Sequence, residues 1–152
     1  MREADGLIVG APNYFGDLCA EFKLFYERLL FQYLTYRKEC ISYNERPVPV
    51  LLISTSNAPV GMYSDLMESY RTRFETFIGP TTVLEVGATM QVKDYGKYDW
   101  TMFDGPSKVE RRERIFPQEL KKAYELGASV FRRWVAFRER NHAVCLNGVP
   151  LG

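Results

Sequence analysis

Ala4-Asp-Gly-Leu-Ile-Val-Gly-Ala-Pro-Asn-Tyr-Phe-Gly16 runs directly into a strongly apolar stretch of helical spacing. Gly6 to Ala11 is a short apolar run bounded by Gly and Pro, which suits a strand buried on both faces. Pro12 to Gly16 then makes a loop of Gly, Pro and aromatics before a helix. This layout brings backbone N–H groups and aromatic side chains to the carboxyl end of a strand, where open α/β sheets bind ligands. A strand of this kind normally lies inside a sheet, yet only a few residues precede it. The expectation is therefore a chain truncated at its N-terminus, with one edge of this strand uncovered.

Downstream, β and α patterns alternate. From Asp17 to about Tyr36, Leu18, Phe22, Phe25, Leu29, Tyr33 and Tyr36 form one helical stripe, with Asp17 as the expected cap. Leu24, Leu30, Phe31 and Leu34 lie off that stripe, so more than one neighbour is expected to bury this helix. Pro47 to Ser54 reads as a second buried strand, followed by a Ser/Thr/Asn/Pro/Gly loop from Thr55 to Gly61. Tyr63 to Ile78 reads as a second helix stopped by Gly79-Pro80. Thr81 to Val92 is β-branched and reads as the third strand, with Gly87 at a bend or bulge. Lys93 to Pro106 is an aromatic loop with Tyr95, Tyr98, Trp100 and Phe103. A last helix begins between Ser107 and Pro117 and packs through Leu120, Tyr124, Leu126, Gly127, Val130, Phe131, Trp134 and Phe137. Residues 141–152 form a tail. The predicted fold is an open parallel α/β sheet of one domain, with right-handed crossovers and helices on both faces.

Composition excludes several classes. The chain has 152 residues, 46% of them hydrophobic, enough for one real core. Twenty basic and nineteen acidic residues leave no general field for nucleic acid or an anionic membrane. No apolar run approaches the ~20 residues of a membrane span, and no signal peptide is visible. Cys19, Cys40 and Cys145 are scattered and odd in number, which fits a reducing compartment and predicts a cytoplasmic protein.

The segment ADGLIVGAPNYFGDLCAEFKLFYERL resembles the third strand, flavin loop and following helix of the flavodoxin-like NAD(P)H-dependent FMN reductases, most closely the iron–sulfur flavoprotein group. The matching features are Ala4-Asp5, the turn Gly10-Ala11-Pro12-Asn13-Tyr14, Gly16 and Lys23-Leu24-Phe25. Val50 to Gly61 and Glu125-Leu126-Gly127 fit the same pattern. The resemblance implies a flavodoxin-like three-strand remnant. The family's first strand, its phosphate-holding loop and its second strand are missing, roughly 60–80 residues at ~30 per βα unit. The clustered cysteines that would ligate an iron–sulfur centre are also missing.

The resemblance implies cofactor contacts from Pro12, Asn13, Tyr14, Phe15 and Gly16 and from Thr55, Ser56 and Asn57, with no catalytic side chain and no metal ligand. An isoalloxazine ring needs a flat apolar wall and N–H donors, which such loops supply. The plainer readings are a tight strand-to-helix turn at Pro12–Phe15 and an ordinary loop with a helix cap at Thr55–Asn57. For the Tyr95/Tyr98/Trp100 loop, plain packing is the preferred reading over a pocket wall. His142, near the end of the chain, has no expected role. Cys19 reads as a small core residue, and Arg111-Arg112-Glu113-Arg114 as a solvated face.

The function implied is an FMN-dependent oxidoreductase that takes hydride from NAD(P)H and passes electrons to a quinone-, nitro- or metal-type small-molecule acceptor. The alternatives are a flavodoxin-like electron carrier and a non-catalytic fragment that keeps only an oligomer interface. FMN binding by the chain as written is expected to be weak or absent, because no phosphate loop precedes Gly6. The apolar circumference of the first helix, together with the resemblance, predicts a homodimer or tetramer.

Overall fold

The computed structural model describes residues 4–140, with backbone alone at 131 and 133–140. Its strands are β1 (Leu7–Tyr14), β2 (Asp17–Leu18), β3 (Val50–Thr55) and β4 (Thr81–Val86). Its helices are α1 (Ala20–Phe31), α2 (Ser64–Phe77), α3 (Gly105–Arg114) and α4 (Phe116–Arg140). The strands form one open sheet in the order β2-β1-β3-β4. β1, β3 and β4 are parallel, with Ile8 opposite Leu51 and Leu51 opposite Thr82. β2 pairs antiparallel with the end of β1. The architecture is α/β, as the alternating pattern predicts.

The crossovers through α1 and α2 step the same way across the sheet, so a common handedness puts both helices on one face. There Ala11, Val50 and Leu52 meet Phe22, Leu29 and Leu30 of α1 and Met67, Tyr70 and Phe74 of α2. Phe22, Tyr26, Tyr70 and Phe74 form an edge-on aromatic cluster at this layer, with Tyr26 and Tyr70 centroids 5.1 Å apart. The other face packs Leu51, Leu84 and Val86 against Val130, Leu126 and Phe116 of α4.

The amide of Leu7 donates to Pro49 O, so alternate residues Leu7, Val9 and Ala11 direct their hydrogen bonds at β3. Ile8 and Gly10 direct theirs outward. Among the described residues no strand pairs along that side of β1 before Asn13.

Several boundaries differ from the sequence reading. Asp17 does not cap a helix, because the chain first folds back as β2 and α1 starts only at Ala20. The N-cap position is Cys19, without a side-chain cap, its sulfur-bearing side chain packed against the core. α1 stops at Phe31 rather than Tyr36. Its buried residues are Phe22, Leu29 and Leu30, whereas Phe25, a stripe member, is exposed with Leu24 and Phe31. Helical spacing persists in the sequence past the helix end, where an isolated bridge, Leu34 to Ser42, takes over. β4 ends at Val86 rather than Val92. The last helical segment is two helices broken at Ile115, with Pro117 in the first turn of α4, where its missing N–H costs nothing. The sheet has four strands rather than three, the two-residue β2 being the addition. The side chains of Phe131, Trp134 and Phe137, and the tail with His142 and Cys145, lie outside the described residues.

Candidate functional site

β1 runs on through Pro12 and Asn13 to Tyr14, then reverses through Phe15 and Gly16 into β2. Both turn residues have positive φ, 54° at Phe15 and 84° at Gly16. Two left-handed residues between paired strands make the type I′ pattern of a two-residue hairpin. Glycine adopts that geometry freely, but a bulky side chain at positive φ stores about 1–3 kcal/mol of strain. Phe15 holds it with its ring fully exposed, and Tyr14 beside it is 62% exposed.

Asn13, opposite Leu18 in the hairpin, is the other outlier. Its Nδ2 is buried and donates to nothing among the described residues. A buried donor without an acceptor costs about 1–3 kcal/mol.

Pro12 is the register partner of Thr55, so the hairpin and the loop after β3 leave the sheet side by side at its carboxyl edge. The second loop is tightly anchored. The Ser56 amide donates to Val86 O, and the amide and hydroxyl of Thr89 both donate to Ser56 O at 2.9 Å. Gly87 lets this happen: a Cβ there would fall 2.4 Å from Val60 N and 2.6 Å from Ala58 O. Gly87 therefore marks a close approach of two loops where the chain leaves β4 and bends, rather than a bulge within the strand.

Beyond Asn57 lies a residue that the sequence reading missed. Lys108, in the first turns of α3, is only 8% exposed. Its Nζ donates to Asn57 O at 2.9 Å and Asn57 Oδ1 at 2.5 Å, and sits 5.4 Å from the Phe103 centroid. Burial lowers its pKa, and Arg111 lowers it further. Phe103 in turn meets Tyr95 edge-on and Trp100 at a tilt, with centroids 5.9 and 5.2 Å away. The aromatic loop thus joins the site by way of Lys108. Nothing in Ser107–Arg114, a run of charges, distinguishes Lys108 from its solvated neighbours. The same run also hides Arg111, whose guanidinium pairs with both oxygens of Glu119, and Arg112, which lies 3.7 Å over the Phe116 ring. A uniformly solvated face is therefore not what this segment forms.

The hairpin is fixed from below. Asp17 accepts from the Leu18 amide, the Tyr70 hydroxyl and Lys23. Burial raises the Asp17 pKa, but these donors, Lys23 first, outweigh it and hold it below its ordinary value. Burial and the bond to Asp17 push the Tyr70 phenol well up.

Of the eight sequence-predicted site residues, the structure brings Pro12, Asn13, Tyr14, Phe15 and Gly16 into one hairpin and Thr55, Ser56 and Asn57 into the adjoining loop. Among the described residues no cluster of three His, Cys, Asp or Glu could hold a metal, and no helix is long and apolar enough to cross a membrane. Compared with known proteins, the chain matches no family model, no curated protein and no solved structure.

Proposed function

We propose that the hairpin and the Thr55–Asn57 loop hold a flavin ring, in a flavodoxin-like oxidoreductase domain that uses FMN and NAD(P)H. The observation that carries this reading is the strained, fully exposed Phe15 beside the acceptorless Asn13 Nδ2 at a sheet's carboxyl edge. Strain and unmet polarity kept together at one edge are the marks of a ligand site. An isoalloxazine fits these residues. Its carbonyl and ring-nitrogen acceptors suit a buried amide donor, and its flat face suits exposed Tyr14 and Phe15. The sheet order, with α1 and α2 on one face and α4 on the other, supports the flavodoxin-like assignment.

A bound flavin supplies hydride and electron transfer. The chain's part is to bind and orient it. Tyr14 and Phe15 would wall one side of the ring, Asn13 would donate to a ring acceptor once its Nδ2 is uncovered, and the bonded Ser56–Thr89 framework would hold the second loop in place. Reductase and electron carrier differ in whether NAD(P)H is oxidised in single turnover. Exposed Leu24, Phe25 and Phe31 on α1 favour a homodimer or tetramer, checked by light scattering.

Titration with FMN and with riboflavin, followed by flavin fluorescence, tests the proposal. The contacts named are to the ring, so the two flavins are expected to quench alike, and weakly. Absence of quenching by either removes the reading.

A further inference from the structure

We propose that Lys108 is the electrostatic positioning residue of this site, whose buried charge makes the loop pair prefer the reduced, anionic state of a bound flavin ring over the oxidised state; the inference rests on the flavin reading above.

Lys108 reaches from α3 to Asn57 and is bound there by two carbonyl oxygens and a ring face, none of which carries a negative charge. Two acids beside α3, Asp104 and Glu119, are otherwise engaged. Asp104 accepts from the amide and hydroxyl of Ser107 at the start of α3. Glu119, on α4, is held by both guanidinium nitrogens of Arg111. Arg112 lies over Phe116. Arg111 is the one charge that acts on Lys108, and it acts as a second cation. Among the described residues no carboxylate pairs with Lys108, so one positive charge remains uncompensated behind Asn57, in surroundings that screen it poorly.

Burying an unpaired ammonium is unfavourable in the empty protein. The cost falls when a negative charge arrives on the far side of the loop. Two electrons and one proton convert the neutral oxidised ring to a reduced ring with a single negative charge. The reduced ring therefore gains an attraction that the oxidised ring lacks, and such tuning by a nearby charge is what a protein contributes to a flavin's electronics. A purely mechanical clamp between α3 and the loop would hold both states equally.

The test is the midpoint potential of bound FMN, measured at saturating FMN by dye equilibration with dithionite as the reductant. It is run for the full chain and for Lys108→Arg, Lys108→Gln and Lys108→Met. The Gln amide can still donate to Asn57 O without charge. Expected is a roughly tenfold loss of preference for the reduced ring in the Gln and Met variants, about 30 mV for a two-electron couple. The Arg variant is expected to stay close to the parent. Unchanged potentials in Gln and Met variants that still bind FMN overturn the role of Lys108 and leave the flavin site standing. Loss of folding in all three variants, read by circular dichroism, assigns Lys108 a structural role and overturns it too. Failure of the parent chain to bind either flavin overturns both proposals.

Discussion

The hydroxyl of Tyr70, on α2, donates a 2.8 Å hydrogen bond to Asp17 on β2 and so ties the candidate loop to a helix that follows it much later in the chain. Bonds to a charged acceptor are worth about 1.5–3 kcal/mol when buried, and less where solvent reaches the acceptor, as it does at Asp17. Tyr70→Phe is expected to lower unfolding stability by about 1 kcal/mol, measured by urea denaturation. Its ring stays in the aromatic cluster, so the slope against urea should not change.

Asp17 also sets a pH dependence. Its folded-state pKa lies below the ordinary 3.8, so its pairing stabilises the fold fully above 3.8 and is lost as pH falls through the folded value. Asp17→Asn is expected to be less stable than the parent at neutral pH. The gap should close on acidification below 3.8. A gap that stays constant from neutrality to strong acid would show that Asp17 acts through shape alone.

Phe15→Gly separates stability from binding. Removing the left-handed strain should raise stability, and the entropy of glycine offsets part of that, for a net gain of about 0.5–1 kcal/mol. The same change removes the exposed ring, so flavin quenching should weaken. A thermal melt and a riboflavin titration on one preparation read both effects.

The glycines near the second loop should behave differently from one another. Gly87→Ala drives a Cβ into the backbone of Ala58 and Val60, an overlap expected to cost at least about 2 kcal/mol and to displace the loop. Gly61→Ala meets nothing closer than Ser64 Oγ at 3.8 Å and pays only for its φ of 89°, about 1 kcal/mol. Equal losses in the two melts would mean that the close approach at Gly87 is unimportant.

Much of this arrangement is legible in residue order. Apolar runs bounded by Gly and Pro mark β1 and β3 as strands, and the parallel pairing of Ile8 with Leu51 follows from the helix between them; only β3 is buried on both faces as expected, since Ile8 of β1 is 53% exposed. Pro12–Gly16 and Thr55–Asn57 are foreseeable as neighbours, because successive parallel strands end at one edge. The hairpin is not foreseeable. Phe-Gly is a poor type I′ signal compared with Asn-Gly, and Asp17 looks like a helix cap until Tyr70 and Lys23 are seen to claim it. The stripe through Tyr36 misled because helical spacing persists in sequence after the backbone has turned. Lys108 is hidden in a charged run, because its burial depends on Asn57, 51 residues away, together with Phe103 of the preceding loop.

The pairing of β1 with β3 and of β3 with β4 bears on the order in which the protein assembles. The β1–β2 turn joins residues that are almost adjacent and can close in about 1–10 μs, as isolated hairpins do. The parallel ladders must wait until α1 or α2 has spanned the gap, and contacts of such long sequence separation are slow to form. Phe15 and Asn13 thus take their places early, whereas Thr55 arrives opposite Pro12 late. In a refolding time course, the local turn would be set first and flavin quenching would rise only with the last phase, as a clock for the docking of β3.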